Sequence, residues 1–161
     1  MSKKIVFIDI DGTLTTPDGR VPSSAKQAIR TARQNGHLMY LCTGRSKPEI
    51  IFSILEIGFD GEAFTMYRTT VAQFGPESGE IAVKGVDKYK AVKYVLNVLQ
   101  IPREQSMAYG DGNNDIKMFE AVHYGVAMEN ATDDLKKVAR EITTKAEDDG
   151  IMHSFKRHHL L

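Results

Sequence analysis

The chain's first apolar run, Ile5-Val6-Phe7-Ile8, ends in Asp9-Ile10-Asp11-Gly12, and that junction constrains the fold more than any other segment. An unbroken apolar run of this length is the mark of a strand covered on both faces in a parallel sheet. The carboxylates begin where the run stops, at the strand's C-terminal end, where open α/β sheets bind their ligands. Residues i and i+2 of a strand project to the same side, so Asp9 and Asp11 would face one another in a partly dry crevice unless a cation or a shared proton relieved them. All-oxygen ligands point to a hard divalent ion such as magnesium. A second reading stays open at this point: Asp-Gly is a common turn dipeptide, and the pair would then cap the turn.

At 161 residues the chain is expected to form one domain, residues 1–161, with a single substantial core. Its 21 basic and 21 acidic residues balance, so no global field points to nucleic acid or to an anionic membrane surface as a partner. The only cysteine, Cys42, lies within the apolar stretch Leu38-Met39-Tyr40-Leu41-Cys42, which excludes an internal disulfide and suits a buried small hydrophobe better than a nucleophile. Lys3, Lys4 and Asp9 interrupt any signal-peptide core, and no apolar run reaches membrane-spanning length. A cytoplasmic protein with no membrane partner is the expectation.

Hydrophobic periodicity alternates between strand and helix along the chain. After a loop at Thr15 to Val21, Pro22-Ser23-Ser24 opens a helix carrying Ala25, Ala28, Ile29 and Ala32, which Asn35-Gly36 ends. Leu38 to Cys42 reads as a second strand, and Ser46-Lys47-Pro48 as the start of a helix bearing Ile50, Ile51, Ile54 and Leu55 up to Gly58. Residues 61–85 differ in kind and read as a small β excursion. Lys88 then opens a helix with Val92, Val95, Leu96 and Leu99 on one face, followed by a strand at Ser106 to Tyr109 and the loop Gly110-Asp111-Gly112-Asn113-Asn114-Asp115. A strand at Tyr124 to Met128, a helix at Asp133 to Arg140, a short strand at Ile142 to Thr144 and a last helix after Asp148-Asp149-Gly150 complete the pattern. Such alternation predicts an α/β fold of parallel βαβ units.

Polar residues of a consistent kind follow several of these elements: Asp9 and Asp11, Thr43-Gly44-Arg45, Lys88, and Asp111 with Asn114 and Asp115. All would gather at one edge of the sheet. In these segments the sequence resembles the haloacid dehalogenase (HAD) superfamily of phosphohydrolases, and within it the Cof-type, sugar-phosphatase-like branch. Asp9-Ile10-Asp11-Gly12-Thr13-Leu14 is similar to the first motif of that superfamily and Thr43-Gly44-Arg45 to the second. Lys88 in Gly85-Val86-Asp87-Lys88 is similar to the third, and Gly110 to Asp115 to the fourth.

The resemblance implies a Rossmann-like core, a central parallel sheet flanked by helices, and a magnesium-dependent phosphomonoesterase acting on sugar phosphates or other small phosphorylated metabolites. Asp9 would be the nucleophile that forms an aspartyl-phosphate, and Asp11 the general acid. Mg2+ would be held by the side chains of Asp9 and Asp111 and the backbone carbonyl of Asp11, with Asp115 binding through water or anchoring the other ligands. Thr43, Gly44, Lys88 and Asn114 would bind the phosphoryl oxygens. Taken singly, Thr43 and Asn114 also read as caps, Lys88 as a solvated surface residue and Asp115 as a first-turn acid. Arg45 reads as either substrate-facing or structural, and Lys156-Arg157-His158-His159 as a solvated helix end. His37, His123 and His153 show no partner pattern.

The chain also departs from that branch. Cof-type proteins insert a large α/β cap between the second and third motifs, whereas only residues 61–87 occupy that place here. A site without a lid excludes water poorly. It would admit a bulky substrate or be covered by a neighbouring subunit in a homo-oligomer, with Phe64, Met66, Tyr67, Val71 and Phe74 available for self-association. A capless phosphatase of large substrates and a low-activity HAD-core binding or assembly module are the alternatives. Phosphoryl transfer between metabolites ranks lower because it depends on keeping water out.

Overall fold

The structure is a computed structural model that describes residues 3–45, 50–62 and 87–161. Among the described residues six strands form one parallel sheet: β1 (Ile5–Ile8), β2 (Leu38–Leu41), β3 (Gly61–Glu62), β4 (Ser106–Gly110), β5 (Tyr124–Met128) and β6 (Glu141–Thr143). Their order is β3-β2-β1-β4-β5-β6. The chain therefore builds outward from β1 through β2 to β3, then returns to the other side of β1 and continues through β4. The gap between the C-terminal ends of β1 and β4 is the topological switch point, where ligands of open α/β sheets bind.

Both faces of the sheet are covered, which explains the unbroken apolar run of β1. Val6 and Ile8 point into one core with Ala28, Ile29, Ile54 and Phe155, supplied by α1 (Ser23–Gln34), α2 (Phe52–Leu55) and α6 (Gly150–Arg157). Ile5 and Phe7 point into the other with Val92, Leu96, Phe119 and Leu135, from α3 (Lys88–Val98), α4 (Ile116–Ala121) and α5 (Asp133–Val138). Alternate residues of one strand thus serve two cores, as the period of two demands. Cys42 is buried beside the second of these, and desolvation pushes its thiol up to about 12, which suits the structural reading.

Several boundaries move. The helix expected from residue 46 begins only at Phe52, because Ile51 keeps an extended backbone (φ −64, ψ 147) as its N-cap; residues 46–49 lie outside the described residues. That helix ends at Leu55, short of Gly58. The fifth helix stops at Val138 rather than Arg140, and the last strand is shifted by one residue to Glu141–Thr143. Leu99, assigned to the apolar face of α3, is its C-cap and is exposed. Most of the expected β excursion, with Phe64, Met66, Tyr67, Val71 and Phe74, lies outside the described residues.

The C-terminal basic cluster is not simply solvated. His158 Nε2 sits 2.6 Å from Glu141 Oε2, and Arg157 lies 3.4 Å from Glu141 Oε1. Ser154 Oγ donates to that same Oε1 and stands 2.9 Å from the Tyr109 hydroxyl, which is fully buried. This network ties α6 to β4 and β6. Three further histidines have partners as well: His37 Nδ1 accepts from the Lys4 amide, His123 faces Arg140, and His153 faces Thr144. No described helix is long and apolar enough to cross a membrane.

Candidate active site at the switch point

The site grows from the register of β1 against β4. Ile8 pairs with Tyr109, and the Asp9 amide donates to the Tyr109 carbonyl at 3.1 Å, so Asp9 emerges beside Gly110 and Asp111. On the other side, the Cys42 amide donates to the Ile8 carbonyl, which brings Thr43, Gly44 and Arg45 alongside. Three strand ends separated in sequence are thereby fixed at one crevice by backbone pairing alone.

Beyond Asp9 the chain makes one wide turn over Ile10–Leu14, closed by the Thr15 amide and hydroxyl donating to the Ile10 carbonyl. The turn requires φ +72 at Gly12, a left-handed conformation that glycine adopts without strain. A Cβ there would also lie 2.2 Å from Asp111 Oδ2. Glycine at this position is thus a condition for Asp9 and Asp111 to share the crevice.

Asp9, Asp111 and Asp115 form a cluster whose carboxylate oxygens lie within 4.8 Å of one another. Burial, together with Asp115 and Asp111 and opposed by Lys88, pushes Asp9 up to about 7. Burial and Asp115 raise Asp111 to about 6. Lys88 is the first residue of α3, whose start is set by the Asp87 side chain accepting from the Lys90 amide. Its ammonium donates to Asp9 Oδ1 at 2.6 Å and to Asp115 Oδ1, and these two carboxylates hold its pKa above the ordinary value despite burial. One ammonium among three carboxylates leaves an excess of negative charge, and an all-oxygen donor set of this kind fits a hard divalent cation.

Asp115 is the most enclosed of the three. Its Oδ2 accepts from the amides of Asp111 at 3.0 Å and Gly112 at 3.1 Å, while Oδ1 takes Lys88. Both oxygens are therefore engaged in holding the loop and the lysine, which matches an anchoring role. Asp11 does not join the cluster. Its carboxylate is largely exposed and is gripped by Arg45, whose Nε donates to Oδ2 at 2.9 Å and whose second guanidinium nitrogen donates to Oδ1.

Thr43 is buried, and its Oγ1 accepts from the Arg45 amide at 3.1 Å, a bond that does not use the hydroxyl proton. Gly44 stands between them with open space where a Cβ would be. Asn114, in the single 3-10 turn before α4, is exposed and makes no hydrogen bond to the carboxylate cluster among the described residues. Its carboxamide instead lies over Gly112.

Two contributors escaped the reading of the sequence. Thr13 Oγ1 donates to Asp111 Oδ1 at 3.2 Å. Asn130 Nδ2 donates to the Gly12 carbonyl at 2.9 Å and approaches Asp111 Oδ2 at 3.3 Å, which joins the first turn to the loop after β4. Asn130 lies just past the C-terminal end of β5, so the rule that singled out the other strand ends also covers it.

Comparison with known proteins bears on the family and on the fold. A family model described as haloacid dehalogenase-like hydrolase matches residues 6–67 and 62–155. The phosphatase YwpJ of Bacillus subtilis (strain 168) is 36% identical over 92 residues, which cover 57% of this chain and 32% of that protein. The phosphoglycolate phosphatase of Thermoplasma volcanium is 23% identical over 222 positions, covering 98% of this chain and 99% of that protein. The chain thus spans about a third of the length of the first of these relatives, and the second aligns with it end to end only across many more positions than its own 161 residues. The solved structure of a HAD subclass IIB sugar phosphatase superposes with a TM-score of 0.83 at 20% identity, covering 99% of this chain and 100% of that one, which speaks for the fold. With the family model matching most of its residues in two stretches, the chain belongs to the haloacid dehalogenase-like hydrolase family.

Proposed function

We infer that the protein is a phosphomonoester hydrolase that works through an aspartyl-phosphate, uses magnesium, and acts on sugar phosphates or other small phosphorylated metabolites. The observation that carries this reading is Asp9 itself, a buried carboxylate at the switch point with Lys88 on one oxygen and two further carboxylates around it. Such an arrangement is costly for folding alone. It serves a reaction in which the carboxylate must attack an anionic group.

Asp9 and Asp111, with the Asp11 backbone carbonyl, would hold the metal, and Asp115 would anchor Asp111 and Lys88. Bound there, a divalent ion neutralises carboxylate charge and lowers the repulsion between nucleophile and phosphoryl group. The Asp9 oxygen attacks phosphorus while the bond to the leaving oxygen breaks. Asp11 gives its proton to that oxygen, then takes a proton from the water that attacks the aspartyl-phosphate, releasing inorganic phosphate and free Asp9. Lys88, the Thr43 hydroxyl and the Gly44 amide stabilise charge on the equatorial oxygens. Asn114 would reach the phosphate only by turning inward from its exposed position.

Residues 1–161 would form one core, with 61–87 a shortened insertion in place of a cap; because Gly61 and Glu62 are β3 of the core sheet, the insertion proper would begin after them. A neighbouring subunit is the partner proposed to cover the crevice. The test of the chemistry is acid quenching during turnover of p-nitrophenyl phosphate with magnesium, followed by peptide mass analysis. A phosphoryl adduct on the peptide containing Asp9 is expected; an adduct elsewhere would overturn the assignment.

A further inference from the structure

The Arg45 guanidinium meets Asp11 as a fork, with Nε on one carboxylate oxygen and the second nitrogen on the other. The two residues come from different strand ends, and their side chains are 29% and 62% exposed, so the pair adds little to stability. Its effect is geometric. Asp11 has an extended backbone (φ −73, ψ 124) and stands two residues past Asp9, yet its carboxylate is largely exposed and is not one of the three clustered acids, although its charge still acts on Asp111. An exposed carboxylate with two side-chain torsions would sample several directions. A bidentate guanidinium fixes both torsions at once. The Arg45 amide is bonded in turn to Thr43 Oγ1, which couples the direction of Asp11 to the residue proposed for phosphate binding.

The geometry points to Arg45 as the positioning residue for the acid: it holds the Asp11 carboxyl toward the leaving-group oxygen of a bound phosphomonoester. This rests on the phosphatase reading above. At the first step the Asp9 oxygen bonds to phosphorus, the phosphorus–leaving-group bond breaks, and the Asp11 proton moves to the departing oxygen. One Asp11 oxygen must carry that proton, so the fork gives up one bond and keeps the other as a pivot. Arg45 touches neither the phosphorus nor the proton, and it acts through Asp11.

A purely structural arginine and a positioning arginine differ in their response to the leaving group. Aryl phosphates of similar shape, from p-nitrophenyl to phenyl and p-methoxyphenyl, need increasing help from the acid. In Arg45→Ala, kcat/KM for phenyl phosphate is expected to fall roughly 10- to 100-fold more than for p-nitrophenyl phosphate, a part of the roughly 10²–10⁴-fold that a positioned acid supplies. Asp11→Asn should steepen the dependence on leaving-group basicity in the same way, and the double variant should be no steeper than Asp11→Asn alone. Arg45→Lys, which keeps charge but not the fork, should fall between wild type and Arg45→Ala, and it replaces Arg45→Ala if that variant fails to fold. An unchanged dependence in the Arg45 variants, or additive steepening in the double variant, overturns the positioning role while leaving the phosphatase intact. Wild type that hydrolyses none of the esters with magnesium overturns the phosphatase reading and this inference together.

Discussion

Lys88 Nζ donates to Asp9 Oδ1 at 2.6 Å across 79 positions of sequence, and both side chains are more than nine-tenths buried. The same ammonium also reaches the fully buried Asp115, so one positive charge holds two interior carboxylates in place. Removing one partner of such an assembly leaves charge buried without compensation. Lys88→Ala is expected to lower stability at pH 8 by about 3–5 kcal/mol, read from urea denaturation without divalent ions. A loss below about 1 kcal/mol, the range of an exposed pair, would mean that the assembly is far more solvated than the geometry shows.

Stability should also depend on pH, in a direction opposite to that of an ordinary salt-bridged carboxylate. Asp9 at about 7 and Asp111 at about 6 lie above their ordinary value of 3.8, so the folded chain binds these protons more tightly than the unfolded one. Their contribution is fully present below the unfolded value and is lost as pH rises through 6 and 7. Without metal, the melting temperature of wild type should fall between pH 5 and pH 8 by more than that of Asp111→Asn, on the order of the free energy linked to shifts of this size. Magnesium should restore stability at pH 8 by binding the native state. Equal slopes for the two proteins would remove the carboxylate cluster as their cause.

Gly12→Ala joins two penalties: a left-handed φ of +72 and a Cβ 2.2 Å from Asp111 Oδ2. The conformational part costs about 1 kcal/mol or somewhat more, and the clash must displace a cluster carboxylate. The expected outcome is a lowered melting temperature together with weakened magnesium binding measured by calorimetry. A variant that melts lower but binds magnesium as wild type does would show that Asp111 is not displaced.

At the start of the edge strand β6, Glu141 receives Ser154, His158 and Arg157. Glu141→Gln replaces charge-assisted bonds with neutral ones and should cost about 2 kcal/mol. Hydrolysis rates at a temperature where the variant stays folded should match wild type. A fall in rate would show that the chain of contacts from Glu141 through Ser154 and Tyr109 to the Asp9 amide transmits the change to the site.

The legible parts of the sequence were those where local pattern and tertiary role coincide. Ile5-Val6-Phe7-Ile8 reads as a two-faced strand because it is one, and Asp9, Asp11, Thr43 and Asp111 follow strand ends that parallel pairing brings to a common edge. Pairings between distant loops were not legible. Arg45 admits two readings in the sequence because its meeting with Asp11 is set by the register of β1 against β2 and by the turn at Gly12, not by spacing. Asn130 lies past a strand end, but a polar residue there is ordinary in sequence, and only the fold sets it beside Gly12 and Asp111. His158 looked solvated because nothing local reveals that Glu141, at the start of β6, lies within reach of α6. Apolar spacing overstates the helix that ends at Leu55, because it continues back through Ile50 and Ile51 while the backbone there is extended or bent.

The identity of Asp9 as nucleophile is tested most directly by steady-state hydrolysis of p-nitrophenyl phosphate with magnesium, comparing wild type with Asp9→Asn at matched folded concentration. The amide nearly preserves size and shape but has lost its nucleophilic oxygen. The expected result is magnesium-dependent turnover by wild type and a rate at background for Asp9→Asn. Equal rates for the two proteins would contradict the assignment of Asp9.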